Sequence, residues 1–263
     1  MKTIDNCIPV VLASDDNYAP YLGVCIQSVI TNASAEKKYH IYILDGGISE
    51  HSKKLIYSLA KTQVKIEFIS VDKILKYYNI KDFPLNSHFT LPAYFRLFLP
   101  QLFPLLDKLI YIDCDTVVLH DLSELYNTDI SAYYLAAVQD ITIASHTKNL
   151  EYYYKKLKIS DHRHYINSGV MVCNLRKMRQ EHLTQVFLAK LQEIGKPILV
   201  DQDIINASCE GNILYLNQRW NYTWHLPFED KNYKQNLPPE LRTAYLQAQA
   251  QPYILHFTSQ QYK

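Results

Sequence analysis

Short apolar runs alternate along this chain with longer segments whose apolar residues recur at helical spacing. The runs are rich in Val, Ile and Tyr, as buried strands are. The predicted strands are Ile8–Ser14, His40–Leu44, Val64–Ser70, Lys108–Ile112, Tyr134–Val138, Val170–Asn174, Ile213–Leu216 and Tyr253–Phe257. The predicted helices are Tyr21–Thr31, Ser49–Lys61 and Met178–Ile194, the last ending at Gly195. This alternation predicts an α/β fold with a mainly parallel central sheet flanked by helices.

Length and charge exclude some classes of protein. The 263 residues suit one large or two small domains and can bury a sizeable core. A net charge of +1 gives no reason to expect a protein that binds nucleic acid or a membrane surface. Polar residues interrupt the uncharged stretch Tyr18–Ala35, which therefore predicts an amphipathic helix and not a transmembrane segment. Five scattered cysteines without a C-x-x-C pair are typical of a reduced, cytoplasmic protein.

The six glycines narrow the ways in which this protein could bind a nucleotide. No three of them match G-x-G-x-x-G and none begins G-x-x-x-x-G-K, so the sequence lacks both common glycine-rich phosphate loops. If the protein handles a nucleotide, a metal ion or side chains must hold the phosphates.

Polar residues cluster near the ends of the predicted strands. In α/β sheets, ligands bind beyond the carboxyl ends of the strands, so these residues are candidates for a binding site. They are Asp15, Asp16, Asn17 and Tyr18 after the first strand, Asp45 after the second, Asp113 and Asp115 after the fourth, Asn167 before the sixth, Asp201 and Gln202 after Pro197–Val200, and His256 in the last strand.

Asp113 and Asp115 are the pair with the clearest chemistry. Two carboxylates separated by one residue at a strand end can both face a divalent cation, and with an imidazole they suit Mn²⁺ or Mg²⁺ bridging a diphosphate. The alternative is a solvated turn or a helix cap. The apolar runs Leu109–Ile112 and Val117–Leu119 on either side disfavour that alternative, because burying an acidic pair costs free energy unless a cation or donors compensate.

Several other residues keep two interpretations from the sequence alone. Asp15–Tyr18 is either the N-terminus of a helix or a group that reads a base edge and stacks on the ring. His256 taken alone is more often a core histidine than a ligand. For Trp220 and Trp224, we expect a place in the core more than stacking on a sugar. For Tyr152–Lys156, we expect a solvated helix face more than a surface that contacts an acceptor.

Taken together, these residues resemble glycosyltransferase family 8, the retaining nucleotide-sugar transferases of the GT-A fold. In pattern the chain is most similar to bacterial lipooligosaccharide galactosyltransferases. The motifs that carry the resemblance occur in the family's order over nearly the whole chain: Ala13–Ala19, Leu44–Ser49, Ala93–Leu97, Tyr111–Asp115, Asn167–Val170, Asp201–Asp203 and His256–Phe257.

The resemblance implies a role for each matching residue. The residues expected to bind Mn²⁺, with Mg²⁺ as the other option, beside the diphosphate of UDP are Asp113, Asp115 and His256. Those expected to hold the uracil are Ala13, Asp15, Asn17 and Tyr18. Those expected to hold the donor sugar are Arg96, Asn167, Asp201 and Gln202. Asp140, at the end of its strand, would face the sugar or the acceptor, and with Asp201 and Gln202 it forms the expected catalytic set.

Retention at the anomeric carbon ordinarily requires a nucleophile on the far face of the sugar, and the amide of Gln202 is a poor one. We therefore expect a same-face displacement through an oxocarbenium-like transition state that Gln202 stabilises. The C-terminus departs from the family's pattern, His-aromatic-x-Gly-x-x-Lys. Ser259 stands in place of the glycine and Lys263 lies one residue too far, so both are weak candidates for a phosphate contact.

The expected protein is a single GT-A catalytic domain over residues 1–263, with a mainly nucleotide-binding half (1–120) and a mainly donor-sugar and acceptor half (121–263). It would move galactose or glucose from UDP to a saccharide or glycolipid acceptor in the cytoplasm, or peripherally at the inner face of the membrane. One alternative is a phosphatase of the haloacid-dehalogenase type with Asp113 as nucleophile, although such enzymes begin their core with that motif and here strand–helix units precede it. The other is a catalytically silent module that binds UDP-sugars.

Overall fold

The structure is a computed structural model that describes residues 7–80, 83–85, 90–148, 150–224 and 235–258. Its strands are β1 (Cys7–Ser14), β2 (Lys38–Asp45), β3 (Val64–Ser70), β4 (Leu109–Ile112), β5 (Thr116–Val118), β6 (Leu135–Gln139), β7 (Ile166–Cys173), β8 (Ile213–Tyr215), β9 (Tyr222–Thr223) and β10 (Ile254–His256). All eight predicted strands are present. β3 has the predicted ends, and the ends of the others shift by up to four residues.

The helices lie between these strands. They are α1 (Ala19–Asn32), α2 (Glu50–Tyr57), α3 (Asp72–Tyr77), α4 (Pro92–Phe95), α5 (Leu99–Leu102), α6 (Leu122–Tyr126), α7 (Ile141–Ala144), α8 (Leu175–Gln180), α9 (Leu183–Ile194), α10 (Val200–Cys209) and α11 (Pro239–Ala250). Short 3₁₀ turns cover Arg96–Phe98, His162–His164 and Gln218–Asn221, and a π-helical turn covers Tyr152–Lys156. Among the described residues, no helix is both long and apolar enough to cross a membrane.

The central sheet has seven strands in the order β3-β2-β1-β4-β7-β6-β8. Its pairs are parallel except at β7, which runs antiparallel to both β4 and β6. A second, three-stranded sheet has the order β5-β10-β9. The prediction of an α/β fold with a mainly parallel central sheet is therefore confirmed, and the last predicted strand belongs to the smaller sheet.

Each face of the central sheet carries its own apolar layer. Successive side chains of a strand point to opposite faces, so in β1 Val11 and Ala13 join one layer while Val10 and Leu12 join the other. Helices α8, α9 and α10 cover the first layer, and α1 and α2 cover the second. Because both faces are covered, the free strand ends are where a ligand can approach.

Two predicted helical segments differ from the structure in more than their ends. The helix expected over Met178–Ile194 is interrupted at His182, whose φ of 52° is left-handed, so α8 and α9 are separate helices. The π-helical turn Tyr152–Lys156 is not simply a solvated face, because Tyr153 is buried against the first layer. Apolar spacing alone does not report a single left-handed residue or the packing partners of a turn.

The two tryptophans have different environments. Trp220 is a core residue, as expected, and its ring lies 4.7 Å from that of Tyr253. Trp224 is 52% exposed, so its assignment to the core is wrong. It follows β9, which among the described residues is an edge strand of the smaller sheet.

Candidate active site

A cavity of about 500 Å³ opens where the strands of the central sheet end. Residues from both predicted halves of the chain line it. The predicted site residues in its lining are Ala13, Asp15, Tyr18, Arg96, Asp113, Asp115, Asp140, Asn167, Asp201, Gln202 and His256. Asn17 is not part of the lining, and Ser259 and Lys263 lie outside the described residues.

The three predicted metal ligands lie together at one end of this cavity. Asp113 follows β4, Asp115 precedes β5, and His256 pairs with Thr116 in the antiparallel β5–β10 ladder. One ligand atom from each of the three residues lies within 4.8 Å of the others. Nε2 of His256 is 3.3 Å from Oδ1 of Asp115 and 3.9 Å from Oδ2 of Asp113. Two carboxylates and an imidazole at this separation form a donor set that suits Mn²⁺ or Mg²⁺.

Gly169 in β7 makes room for this cluster. A Cβ atom at this position would lie 2.2 Å from Cε1 of His256 and 2.8 Å from Oδ2 of Asp113, both far closer than atoms pack. The glycine carbonyl also accepts the backbone N–H of Asp113 at 2.7 Å. The sequence needs glycine here because the imidazole and a carboxylate occupy the space that a side chain would fill.

Arg96 is a buried cation between two carboxylates. One terminal nitrogen lies 2.7 Å from Oδ1 of Asp113, and Nε lies 3.1 Å from Oδ2 of Asp201. The guanidinium also stacks over the ring of Tyr111 at 4.4 Å and donates to the carbonyl of Ser168. Burial alone would lower the pKa of Arg96, but the two carboxylates outweigh burial and raise it, so the side chain stays charged.

Asp201 and Gln202 lie in the first turn of α10. The Pro197–Val200 segment before them is not a strand; it enters the helix with Val200 at a φ of 36°. Burial raises the pKa of Asp201 to about 6, although Arg96 and the Ser168 hydroxyl oppose that shift. The backbone N–H of Ser168 donates to Oε1 of Gln202 at 3.1 Å, which leaves the amide nitrogen to donate to Asp140.

Asp140 joins two of the predicted sugar-binding residues. Its Oδ2 accepts hydrogen bonds from Gln202 at 3.2 Å and from Asn167 at 3.3 Å. Its Oδ1 accepts the backbone N–H of Ile143 and thereby caps α7. Asp140, just after β6, thus caps a helix and also lines the cavity.

The loop after β1 forms the other side of the cavity mouth. Oδ1 of Asp15 accepts the backbone N–H of Tyr18 at 3.1 Å and so shapes the turn into α1. Asp16 accepts the backbone N–H of Ser49 and ties this loop to α2. The loop that leads into α1 therefore also forms part of the cavity wall. Asp45, in contrast, accepts from the backbone of its own turn and pairs with Lys53, outside the cavity lining.

The sequence did not single out several residues that belong to the site. Asn221 hydrogen-bonds both His256 and Asn167, and no local pattern marks an asparagine next to Trp220. His146 also lines the cavity. Tyr153 lines it as well, although the sequence favoured a solvated helix face for Tyr152–Lys156. Burial lowers the pKa of His146. Only the tertiary fold brings these residues to the cavity, so no spacing rule could have found them.

The sequence also matches known families and proteins. The profile described as Glycosyl transferase family 8 matches residues 9–263. General stress protein A of Bacillus subtilis (strain 168) is 32% identical over 261 residues, which cover 96% of this chain and 86% of that protein. The lipopolysaccharide 1,2-glucosyltransferase of Escherichia coli (strain K12) is 30% identical over 241 residues, covering 87% of this chain and 67% of that protein.

Solved structures share the fold. The bifunctional glycosyltransferase WbbM in its apo form matches with a TM-score of 0.87 and 29% identity, covering 99% of this chain and 47% of that chain. The galactosyltransferase LgtC in complex with donor and acceptor sugar analogues matches with a TM-score of 0.75 and 25% identity, covering 96% of this chain and 88% of that one. The chain thus spans about half of WbbM. From these matches, together with the arrangement of the cavity, we conclude that the chain belongs to glycosyltransferase family 8 and has the GT-A fold.

Proposed function

We propose that this chain is a retaining, metal-dependent transferase that moves a hexose, galactose or glucose, from UDP to a saccharide acceptor of a lipooligosaccharide or another surface glycan. The observation that carries the proposal is one cavity with the Asp113–Asp115–His256 cluster at one end and the amides and carboxylate around Asp140 at the other. The activities named for the Escherichia coli relatives and for LgtC support a hexose donor and a lipopolysaccharide-type acceptor. The five free cysteines suit a cytoplasmic location, which we extend to the inner face of the membrane.

Asp113, Asp115 and His256 would hold Mn²⁺, or Mg²⁺, at the cavity. The space left by Gly169 and the hard oxygen donors support this assignment. A bound divalent cation would supply positive charge beside the diphosphate and so stabilise UDP as a leaving group. This arrangement would explain how a chain with neither glycine-rich phosphate loop binds a nucleotide.

The nucleotide would lie against the loop after β1. Tyr18 offers a ring for stacking on uracil, Asp15 a carboxylate and Ala13 its backbone. Asn17 is exposed and is not part of the cavity lining. It remains a proposed contact with the uracil through its side-chain amide. This placement supports the division into a nucleotide half (1–120) and a donor-sugar and acceptor half (121–263), although His256 of the second half joins the metal cluster of the first.

The donor sugar would lie between Arg96 and the Asp140 group. The side-chain amide nitrogens of Asn167 and Gln202 both donate to Asp140, and these hydrogen bonds orient the two side chains before a ligand binds. Preorganised dipoles of this kind stabilise charge that develops during a reaction without a cost of reorienting them. Asp201 is paired with Arg96 and would act mainly by holding that cation beside the sugar.

The chemical step would be a displacement on one face of the sugar. Gln202 Oε1 accepts only the backbone N–H of Ser168 among its described partners and has a second lone pair for positive charge developing at the anomeric carbon. The departing phosphate oxygen would take the proton of the acceptor hydroxyl as the new glycosidic bond forms. The amide would thus stabilise the transition state without becoming a covalent intermediate.

Release of UDP from a panel of UDP-sugars, with Mn²⁺ and without acceptor, tests the proposal. We expect hydrolysis of UDP-galactose or UDP-glucose that requires Mn²⁺ and is lost in Asp115→Asn. Gln202→Ala should lower turnover by roughly 10²-fold, the usual effect of removing a charge-stabilising group. Full turnover in that variant would remove Gln202 from the mechanism, and no effect of Mn²⁺ with any UDP-sugar would overturn the main proposal.

Two alternatives predict other outcomes of the same assay. A catalytically silent binding module would bind UDP with Mn²⁺ and never turn over with any acceptor. A phosphatase would release phosphate from p-nitrophenyl phosphate. The family match disfavours the phosphatase, because it spans residues 9–263 and not only the Leu109–Val117 motif.

A further inference from the structure

A continuous chain of side-chain hydrogen bonds runs from His256 to the sugar end of the cavity. Nδ1 of His256 lies 2.8 Å from Oδ1 of Asn221, and Nδ2 of Asn221 lies 2.8 Å from Oδ1 of Asn167. Nδ2 of Asn167 then donates to Asp140. Asn221 is only 1% exposed, so it is held inside the protein between these two partners.

A backbone donor beside Asn167 fixes the direction of the hydrogen bonds in this series. The backbone N–H of Gly169 can only donate, and it donates to Oδ1 of Asn167 at 2.9 Å. That atom is therefore an acceptor, and the Asn221 atom facing it must be the amide nitrogen. The amide oxygen of Asn221 then faces His256. Because an amide oxygen cannot donate, the hydrogen of this contact belongs to Nδ1 of His256.

We propose that Asn221 is a positioning residue that holds His256 with its hydrogen on Nδ1, so that Nε2 presents a lone pair to a cation shared with Asp113 and Asp115. Nε2 is the ring nitrogen that faces both carboxylates, at 3.3 and 3.9 Å. A hydrogen bond to the other ring nitrogen is the usual way in which proteins orient a metal-binding histidine. The inference rests on the metal site proposed above and adds to it a residue outside the ligand set.

Asn221 also joins the metal end of the cavity to the sugar end. The same amide that orients His256 donates to Asn167, whose own amide donates to Asp140. A displacement of Asn221 would therefore move both His256, a proposed metal ligand, and Asn167, a proposed sugar contact. Truncation of this one side chain should change both metal affinity and KM for the donor.

Asn221→Ala tests the role of the amide, with Asn174→Ala as the matched control. Asn174 is also 1% exposed, and its amide bonds to the carbonyl of Ile130 at the opposite end of β7, away from the cavity. Both variants lose a buried amide and its hydrogen bonds. Any general effect of that loss on stability appears in both, whereas an effect on His256 should appear only in Asn221→Ala.

The first measurement reads the tautomer in the metal-free protein. Long-range ¹H–¹⁵N spectra of histidine-labelled protein, at the high-pH limit of the His256 titration, should show the hydrogen on Nδ1 in the wild type and in Asn174→Ala. The signal is assigned by its loss in His256→Ala. In Asn221→Ala the hydrogen should move largely to Nε2. A wild-type ring with its hydrogen on Nε2 would overturn the inference, even if Asn221→Ala failed to fold.

The second measurement is Mn²⁺ affinity, followed by the EPR signal of free Mn²⁺ in the presence and absence of UDP. We expect Asn221→Ala to raise the Kd by roughly 10- to 100-fold, the typical effect of removing a partner of a metal ligand. Asn174→Ala should leave it unchanged. Equal affinity in wild type and Asn221→Ala would refute the positioning role. If the wild type bound no Mn²⁺, the proposed metal dependence would fail, and the tautomer alone would decide the role of Asn221.

Discussion

The two carboxylate oxygens of Asp113 have different surroundings. Oδ1 accepts the short hydrogen bond from Arg96 at 2.7 Å and another from the hydroxyl of Tyr111 at 3.2 Å, while Oδ2 faces His256 and accepts only a long contact from Arg96 at 3.5 Å. The buried arginine thus fixes the plane of the carboxylate mainly through Oδ1. At the scale of residues, the guanidinium of Arg96 therefore orients one carboxylate of the candidate metal site.

Gly169→Ala should separate metal binding from folding. The added methyl group would lie 2.2 Å from a ring atom of His256, so the imidazole must move and Mn²⁺ affinity should fall at least about tenfold. The control is Gly23→Ala in α1, where a Cβ meets nothing within 4 Å and should stabilise the helix by about 0.5–1 kcal/mol. Mn²⁺ titration and urea denaturation of both variants check this. Unchanged Mn²⁺ affinity in Gly169→Ala would mean that His256 is not a ligand.

Asp201 should make the stability of the metal-free protein depend on pH. Its pKa is raised from the usual 3.8 to about 6 by burial, so the folded protein holds a proton that the unfolded chain has already released. Its contribution is therefore favourable below about pH 4 and is lost as the pH rises to about 6. Urea denaturation from pH 4 to 7 should show this decline in the wild type and a flatter profile in Asp201→Asn. Parallel profiles would contradict the raised pKa.

At the scale of elements, the entry to α10 decides where Asp201 and Gln202 point. Asp203 is fully buried and accepts the hydroxyl groups of Tyr152 and Tyr165, each at 2.6 Å. It also accepts the backbone N–H groups of residues 198 and 199, just before the left-handed Val200. One carboxylate therefore closes the turn that presents the neighbouring residues to the cavity.

Asp203→Asn should loosen this turn. The new amide nitrogen would face donors in place of an acceptor, which should cost roughly 1–3 kcal/mol of unfolding free energy. Turnover should fall at least about tenfold, because small misplacements of reacting groups are costly. Asn174→Ala is the control: it loses a buried amide and its hydrogen bonds away from the cavity, so its stability should fall while its kcat stays near that of the wild type. Equal kcat values in all three proteins would show that Asp203 only stabilises the fold.

The same segment shows where prediction from sequence stops. The apolar residues Ile198–Val200 resemble a short strand, and nothing local indicates that Val200 adopts a φ of 36° or that tyrosines from elsewhere reach Asp203. The buried parallel strands were predictable because an unbroken apolar run is itself their signature. The serine cap of α2 was predictable for a similar reason, since Ser49 accepts the N–H of Ser52 three residues on.

At the scale of the whole molecule, topology brings distant residues to one place. The strand-end rule placed Asp113, Asp115 and the loop after β1 at the cavity, because it needs only the order of strands and helices. It did not predict the smaller sheet, whose β5–β10 pairing sets His256 against Asp115. That pairing joins segments far apart in sequence, and the motif of the known family, not a physical pattern, indicated the role of His256.

Ligand binding should stabilise the molecule as one unit. Mn²⁺ with UDP at 100 times Kd should add about 2.7 kcal/mol to the free energy of unfolding. Amide hydrogen exchange should slow in β4, β5 and β10 together, because residues in or beside all three would contact the ligands. Magnesium-free and manganese-free buffer with EDTA is the control for UDP alone. Protection confined to the loop after β1 would contradict a cation shared by these strands.

The position of β10 has a consequence for synthesis of the protein. The carboxylates of Asp113 and Asp115 leave the ribosome well before His256, and chains begin to fold from their N-terminal part. A nascent chain therefore carries the two carboxylates of the proposed metal site without the imidazole. The full donor set forms only when β10 docks between β5 and β9. If the chain binds a cation as proposed, capture of that cation would be tied to the docking of β10, and an unfinished polypeptide would not bind the proposed sugar nucleotide.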